Sequence, residues 1–199
     1  MKRSHYQKKL FNEDKSNHDN KSEIHELPLS KGHLKDWQQR INTYQAKLFK
    51  SETSIHQQGS LFTKNEEHSI HVLSPLKLTP LPLSFWRWPD CPHHGPAIYL
   101  VMDQLEDSKS NILLYIGETI AANRRWKGSH DCKSYLSAYS EALSNARIKS
   151  QLTIRFWSDV PIDTRSRREL EQELIKRWLP PFNKETRRHW STPFTAEIN

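Results

Sequence analysis

The chain reads as an α/β protein of the α+β kind, with a small sheet, helices around it and a polar arm in front. Three observations predict this. From Pro96 onward strand-like and helix-like stretches follow in the order strand, strand, helix, helix, strand, helix. Two adjacent strand signals are separated only by the polar "QLEDSKSN", the mark of an antiparallel hairpin. Before residue 33, aliphatic and aromatic residues are sparse and show no period.

Residues 1–32 are rich in Lys, Asn, Asp, Glu, Ser and His. Such a segment cannot bury enough apolar surface to offset its ordering entropy, so a disordered tail is expected. Over 33–50, Leu34, Trp37, Ile41, Tyr44 and Leu48 recur at spacings of 3, 4, 3 and 4. That is a narrow apolar stripe on one amphipathic helix, which should dock on the domain or on a partner. Residues 51–84 read as linker, polar at first and then broken by the prolines of "SPLKLTPLPLSFW". A folded domain is expected over 85–190, followed by a tail over 191–199.

Within that domain "PAIYLVMD" and "ILLYIG" are the strands of the hairpin. "AANRRWK" is a short helix, and "KSYLSAYSEALSNA" a longer one with Leu136, Tyr139, Leu143 and Ala146 at helical spacing. "LTIRFWSD" alternates as a third strand. Asp163 or Thr164 can cap a last helix, which "PP" at 180–181 stops after about Trp178.

Net charge and cysteine usage narrow the function classes. The formal charge of +7 is unevenly placed: residues 1–118 hold 15 basic and 14 acidic side chains, and residues 119–190 hold 15 and 8. The excess lies just past "YIG", where a polyanionic partner would leave it, although a solvated basic surface reads the same way. Mean hydropathy is −0.86, and no apolar run approaches the roughly 18 residues of a membrane span. The N-terminal stretch lacks the apolar centre of a secretory signal. With only Cys91 and Cys132, no disulfide framework is expected, and the cytoplasm is the expected compartment.

Helical phase then selects two charged residues. In "RSRRELEQELIKRW", Leu170, Leu174, Ile175 and Trp178 share one arc, and Glu171 falls inside it while Glu169 and Glu173 lie opposite. In the short helix Arg125 shares the inner arc of Ala121, Ala122 and Trp126, while Arg124 and Lys127 point away. A guanidinium and a carboxylate thus face the strands carrying Tyr99 and Tyr115. The set could bind a metal and stabilise a phosphoryl transition state. It could equally be a buried Arg125–Glu171 pair, or Glu171 could pair with Arg167 one turn back.

"AIY" at 97–99 followed by "YIG" at 115–117 resembles the paired signature of the GIY-YIG nucleases. Arg125 lies where that family's catalytic arginine lies, and "LEQELIKRWLPPFN" resembles its closing motif, with Glu171 and Asn183 at the matching positions. The resemblance spans about residues 95–184. It implies a three-stranded antiparallel sheet flanked by helices, and phosphodiester hydrolysis with one divalent metal, usually Mg²⁺. Glu171 would ligate the metal and Tyr99 would help activate water. Arg125 would stabilise the phosphate, Tyr115 would orient water or phosphate, and Asn183 would hold the architecture. Three departures stand out: Ala97 for the first glycine, Glu118 after "YIG" where a carboxylate would repel phosphate, and Ser129 where a His or Tyr is frequent. His130, one residue late, and Glu118 are auxiliary candidates.

"QGSLF" at 58–62 resembles the pentapeptide by which bacterial replication and repair proteins bind the sliding clamp, with Gln58, Leu61 and Phe62 as anchors. Cys91, His93, His94, His130 and Cys132 offer zinc-type donors, but their spacing fits no zinc module. The expectation is a DNA endonuclease, with RNA the lesser substrate. The alternative is a nucleic-acid-binding module on the same fold that no longer cuts.

Overall fold

The computed structural model describes residues 29–57, 73–127 and 131–194. Residues 1–28 of the expected tail over 1–32, and residues 58–72 of the expected linker over 51–84, lie outside them. Four antiparallel strands form one sheet in the order β1-β4-β2-β3, where β1 is Leu81–Pro82, β2 Ala97–Gln104, β3 Asn111–Thr119 and β4 Leu152–Trp157. The hairpin is β2–β3, and β4 pairs with the other side of β2. The sheet therefore has four strands, not the expected three. The additional strand pairs Leu81 with Ile154 and Pro82 with Thr153. Prolines hid it in the sequence. A proline has no N–H for a ladder and is tolerated only at a sheet edge, which is where β1 lies. Arg155 of β4 secures this segment by donating to the carbonyls of Pro75, Leu76 and Leu78.

Helices α1 (Lys31–Gln57), α2 (Ala122–Arg125), α3 (Asp131–Asn145) and α4 (Thr164–Trp178) surround the sheet. Alternation along β2 makes two cores. Ala97, Tyr99 and Val101 pack with Leu136 and Tyr139 of α3 and with Phe182. Ile98, Leu100 and Met102 pack with Leu170, Leu174, Ile175 and Trp178 of α4. The stripe of α1 serves both. Leu34, Trp37 and Ile41 join the first core, whereas Leu48 and Phe49 pack on the second. The helix thus crosses the β3 edge of the sheet, and it runs to Gln57, past the residue 50 its periodicity suggested.

An edge strand presents N–H and C=O groups that must find partners when buried. Three elements supply them here. Gln45 of α1, fully buried, accepts the Leu113 N–H at 2.7 Å and donates to the carbonyls of Leu113 and Trp178 at 3.0 Å each. After α4, the Phe182 N–H donates to the Leu114 carbonyl at 3.0 Å. Asn183 then brackets Ile116, accepting its N–H at 2.9 Å and donating to its carbonyl at 2.8 Å. Finally Glu171 of α4 accepts the Glu118 N–H at 3.0 Å.

β3 also carries a bulge. Val101 faces Tyr115 while Met102 faces Leu113, so Leu114 is an extra residue. Leu114 and Tyr115 consequently both lie on the Tyr99 side. Asp163 caps α4 by accepting the Ser166 N–H at 2.8 Å, and Leu179, left-handed at φ 47°, ends it before the two prolines. The chain then folds back. Trp190 donates its indole N–H to the Leu179 carbonyl, and Phe194 is buried edge-on to Trp37 at 5.5 Å. Packing therefore extends into the segment expected as a C-terminal tail.

Gln45→Ala should strand one N–H and two carbonyls in the interior. A loss of roughly 2–4 kcal/mol is expected in urea unfolding, and a change below about 0.5 kcal/mol would mean that water replaces the side chain.

Candidate active site

The β2–β3 pairing builds the site around one contact. Tyr99 stands directly opposite Gly117, and its ring lies across that residue, where a Cβ would occupy the space of the ring and its hydroxyl. Only glycine leaves the room. Tyr115, brought to the same face by the bulge, stacks on Tyr99 at 5.9 Å and 29° between planes. Trp126 meets Tyr99 edge-on at 5.8 Å. The Arg125 guanidinium lies over the Tyr99 ring at 5.8 Å, a cation–π contact. Arg124 and Lys127 are exposed, as helical phase requires.

Tyr99 is fully buried, and its hydroxyl has no regular hydrogen-bond partner although Arg125 and Tyr115 are close. Burial first, and Tyr115 second, push this phenol far above its ordinary range. Tyr115 is pushed up to about 12, again mainly by burial. Both phenols are therefore protonated at neutral pH. They can donate or orient, but neither has a free anionic form.

Glu171 reaches the sheet from the opposite side, at the β3 edge. Its Oε1 accepts the Glu118 N–H, and among the described residues no cation lies within ion-pair distance. Burial raises its pKa to about 7, aided by the nearby carboxylates of Glu118 and Glu185 and opposed by the amide hydrogen bond. Both salt-bridge readings of the sequence fail here. Arg167 does not turn to Glu171; fully buried, it pairs through Nε with Glu118 at 3.0 Å, while Nη1 donates to the carbonyls of Pro161 and Ile162. Arg168 adds a second contact to Glu118 at 3.3 Å. Nor does Arg125 form an ion pair with Glu171. The Glu118 carboxylate, suspect as a source of repulsion, is thus held by two guanidinium groups.

Tyr99, Tyr115, Arg125, Glu171 and Asn183 therefore converge on one end of β3, with Asn183 buried and bound to the strand between Tyr115 and Gly117. His130, Gln58, Leu61 and Phe62 lie outside the described residues. The sequence reading gave one residue the wrong partner and missed another. Arg167 sits one turn before Glu171 and looked like its partner. Lys133 of α3 donates to the Trp126 carbonyl and lies 5.7 Å from the Trp126 ring, close enough to Arg125 that their charges interact. No periodic signal marks it. Among the described residues no three His, Cys, Asp or Glu side chains gather as a metal cluster. A hard divalent ion that retains most of its waters needs fewer. Mg²⁺ commonly takes one or two carboxylates, and the unpaired Glu171 carboxylate fits that demand.

The raised pKa of Glu171 has a definite sign for stability. The native state holds this proton more tightly than the unfolded chain, where a glutamate titrates near 4.5. Its contribution to stability is therefore lost as pH rises from about 4.5 to about 7, and it stays lost above. Glu171→Gln should melt higher than the parent at pH 8, with the two curves converging toward pH 4. A Gln variant that melts well below the parent at pH 8 would instead mean that the carboxylate is structurally paired.

No family model matches the chain, and neither a curated protein nor a solved structure is found similar to it.

Proposed function

We propose that this protein is a metal-dependent endonuclease of the GIY-YIG type, hydrolysing phosphodiester bonds in DNA. One observation supports this above the others. Arg125 and Glu171 approach the same strand end from two sides without neutralising one another, and the buried Tyr99 phenol beside Arg125 has no regular hydrogen-bond partner. A purely structural pair would have closed, because holding opposite charges apart in half-buried places is costly. A bound metal for Glu171 and a phosphate for Arg125 would supply the missing charges.

Each side chain then has a role that its environment allows. Glu171 would hold Mg²⁺, which when bound supplies Lewis acidity toward the phosphoryl oxygens and lowers the pKa of a coordinated water. Arg125, fixed over Tyr99 before any substrate arrives, would stabilise charge that develops on the phosphate. Tyr99 would position the attacking water through its hydroxyl hydrogen, since its proton is too tightly held for it to act as a ready base. Tyr115 would orient the same water or the phosphate. Asn183 would hold the strand that carries Tyr115 and Gly117. The basic excess over residues 119–190, including Arg187 and Arg188, matches a polyanionic substrate.

The test is Mg²⁺-dependent nicking of supercoiled, branched and single-stranded DNA. Glu171→Gln should abolish cleavage while leaving DNA affinity within about twofold, and Arg125→Ala should cut turnover by roughly 10² or more. At low Mg²⁺ the rate should rise with pH through about 7, as Glu171 loses its proton, and more Mg²⁺ should move that rise to lower pH. DNA binding without cleavage under every condition would leave the non-cutting module as the correct reading.

We also propose the bacterial sliding clamp as a partner through "QGSLF". Helix α1 ends at Gln57, immediately before the motif's Gln58. A peptide spanning 51–66 should bind the clamp at micromolar concentration by fluorescence anisotropy. Changing Leu61 and Phe62 together to Ala should abolish this, and a peptide silent at high micromolar concentration would remove the partner.

A further inference from the structure

Between β1 and β2 the chain makes a short turn, Phe85–Arg87, whose C-cap is Trp88. Phe85 anchors it, fully buried and edge-on to Phe156 of β4 at 5.2 Å. That anchor places the turn on the Tyr99 face of the sheet, since Phe156 is the β4 partner of Tyr99. Trp86 packs partly buried against the same core. The Arg87 guanidinium lies 5.0 Å from the Trp86 ring, and the Lys133 ammonium approaches it at 6.0 Å from α3.

A continuous line of rings and cations follows. Lys133 links Trp86 to Trp126, Trp126 meets Tyr99, and Arg125 covers Tyr99. Trp88, the residue that follows Arg87 and ends the turn, remains 44% exposed. A large indole left in water in the same turn as Trp86, whose ring meets two cations, suits a ligand that offers a flat aromatic face and negative charge together. A nucleotide does so. Its base must be unpaired, because bases inside a duplex are already stacked on their neighbours and present only edges.

On the basis of the nuclease reading above, we propose that Trp88, with Trp86, Arg87 and Lys133, forms a stacking platform for an unpaired nucleobase of the strand entering the site. The substrate class would then be DNA with a single-stranded stretch beside the cleavage point, such as a flap or a branch. Arg87 and Lys133 would hold the flanking phosphates, and the base would lie on the indole of Trp88. Sequence tolerance follows, because every base has a face to stack.

The experiment reads binding alone. Fluorescein-labelled oligothymidylate and a blunt duplex of equal length are titrated with the full chain in EDTA, where no cleavage occurs. Trp88→Ala should weaken oligothymidylate binding about tenfold, Trp88→Phe should restore most of it, and duplex affinity should change less than about twofold. Absence of oligothymidylate binding by the parent, an unchanged affinity in Trp88→Ala, or equal losses on both DNAs would overturn the platform. Its fate is separable from that of the nuclease reading. A protein that stacks single strands yet never nicks DNA in Mg²⁺ keeps the platform and loses the chemistry. One that nicks with Trp88→Ala indifferent to strand type does the reverse.

Discussion

The unpaired edge of β3 governs much of this structure. A sheet of four strands has two edges, and the β1 edge is short and ends on a proline that has nothing to donate. The β3 edge is long, buried and lined with groups that demand hydrogen bonds. Its partners come from α1, from the turn after α4 and from α4 itself, each through one side chain or one amide. Gln45, Phe182 with Asn183, and Glu171 are spaced along the strand like successive rungs. Once that edge is closed, the crossing path of α1, the fold-back of the C-terminal segment and the height of α4 against the sheet are all constrained. Leaving one rung unfilled costs about as much as a sizeable fraction of a small domain's stability.

The last rung is different in kind from the others. An amide side chain at position 171 could satisfy the Glu118 N–H without bringing a charge into a half-buried place. A carboxylate does the same job at the expense of desolvation, and its proton affinity rises accordingly. The fold meanwhile places Arg167 within a turn of it and directs that guanidinium elsewhere, to Glu118 and two carbonyls. Compensation is thus given to the neighbouring acid and withheld from Glu171. Electrostatically, the strand end is a place where a cation would be welcome on one flank and an anion on the other.

Much of this was legible from residue spacing, and the failures have physical causes. The β2–β3 hairpin, α3, β4 and α4 follow from period and capping, and the buried arcs of α2 and α4 pick out Arg125 and Glu171. Spacing alone could not show that Arg167 pairs with Glu118. Partners one turn apart on a helix are visible in sequence, whereas a partner on a strand 49 residues away is not. Gln45 was invisible for the same reason: a polar residue within a helix reads as solvated until the strand it serves is known. β1 was missed because two residues carry no alternation, and prolines argue against a ladder. Trp88 was a bare aromatic in a proline-rich run, and its exposure is a fact of tertiary structure.

The bulge at Leu114 divides the hairpin into two stretches of opposite phase. Near the connecting loop the pairing is set by Asp103 with Ile112, and at the far end by Tyr99 with Gly117. Because one supernumerary residue separates them, the two stretches keep independent register. A chain one residue shorter between the loop and Tyr115 could retain the tyrosine-over-glycine pairing simply by straightening. The loop end of the hairpin is therefore free to vary in length by one step, while the business end of the strand stays in place.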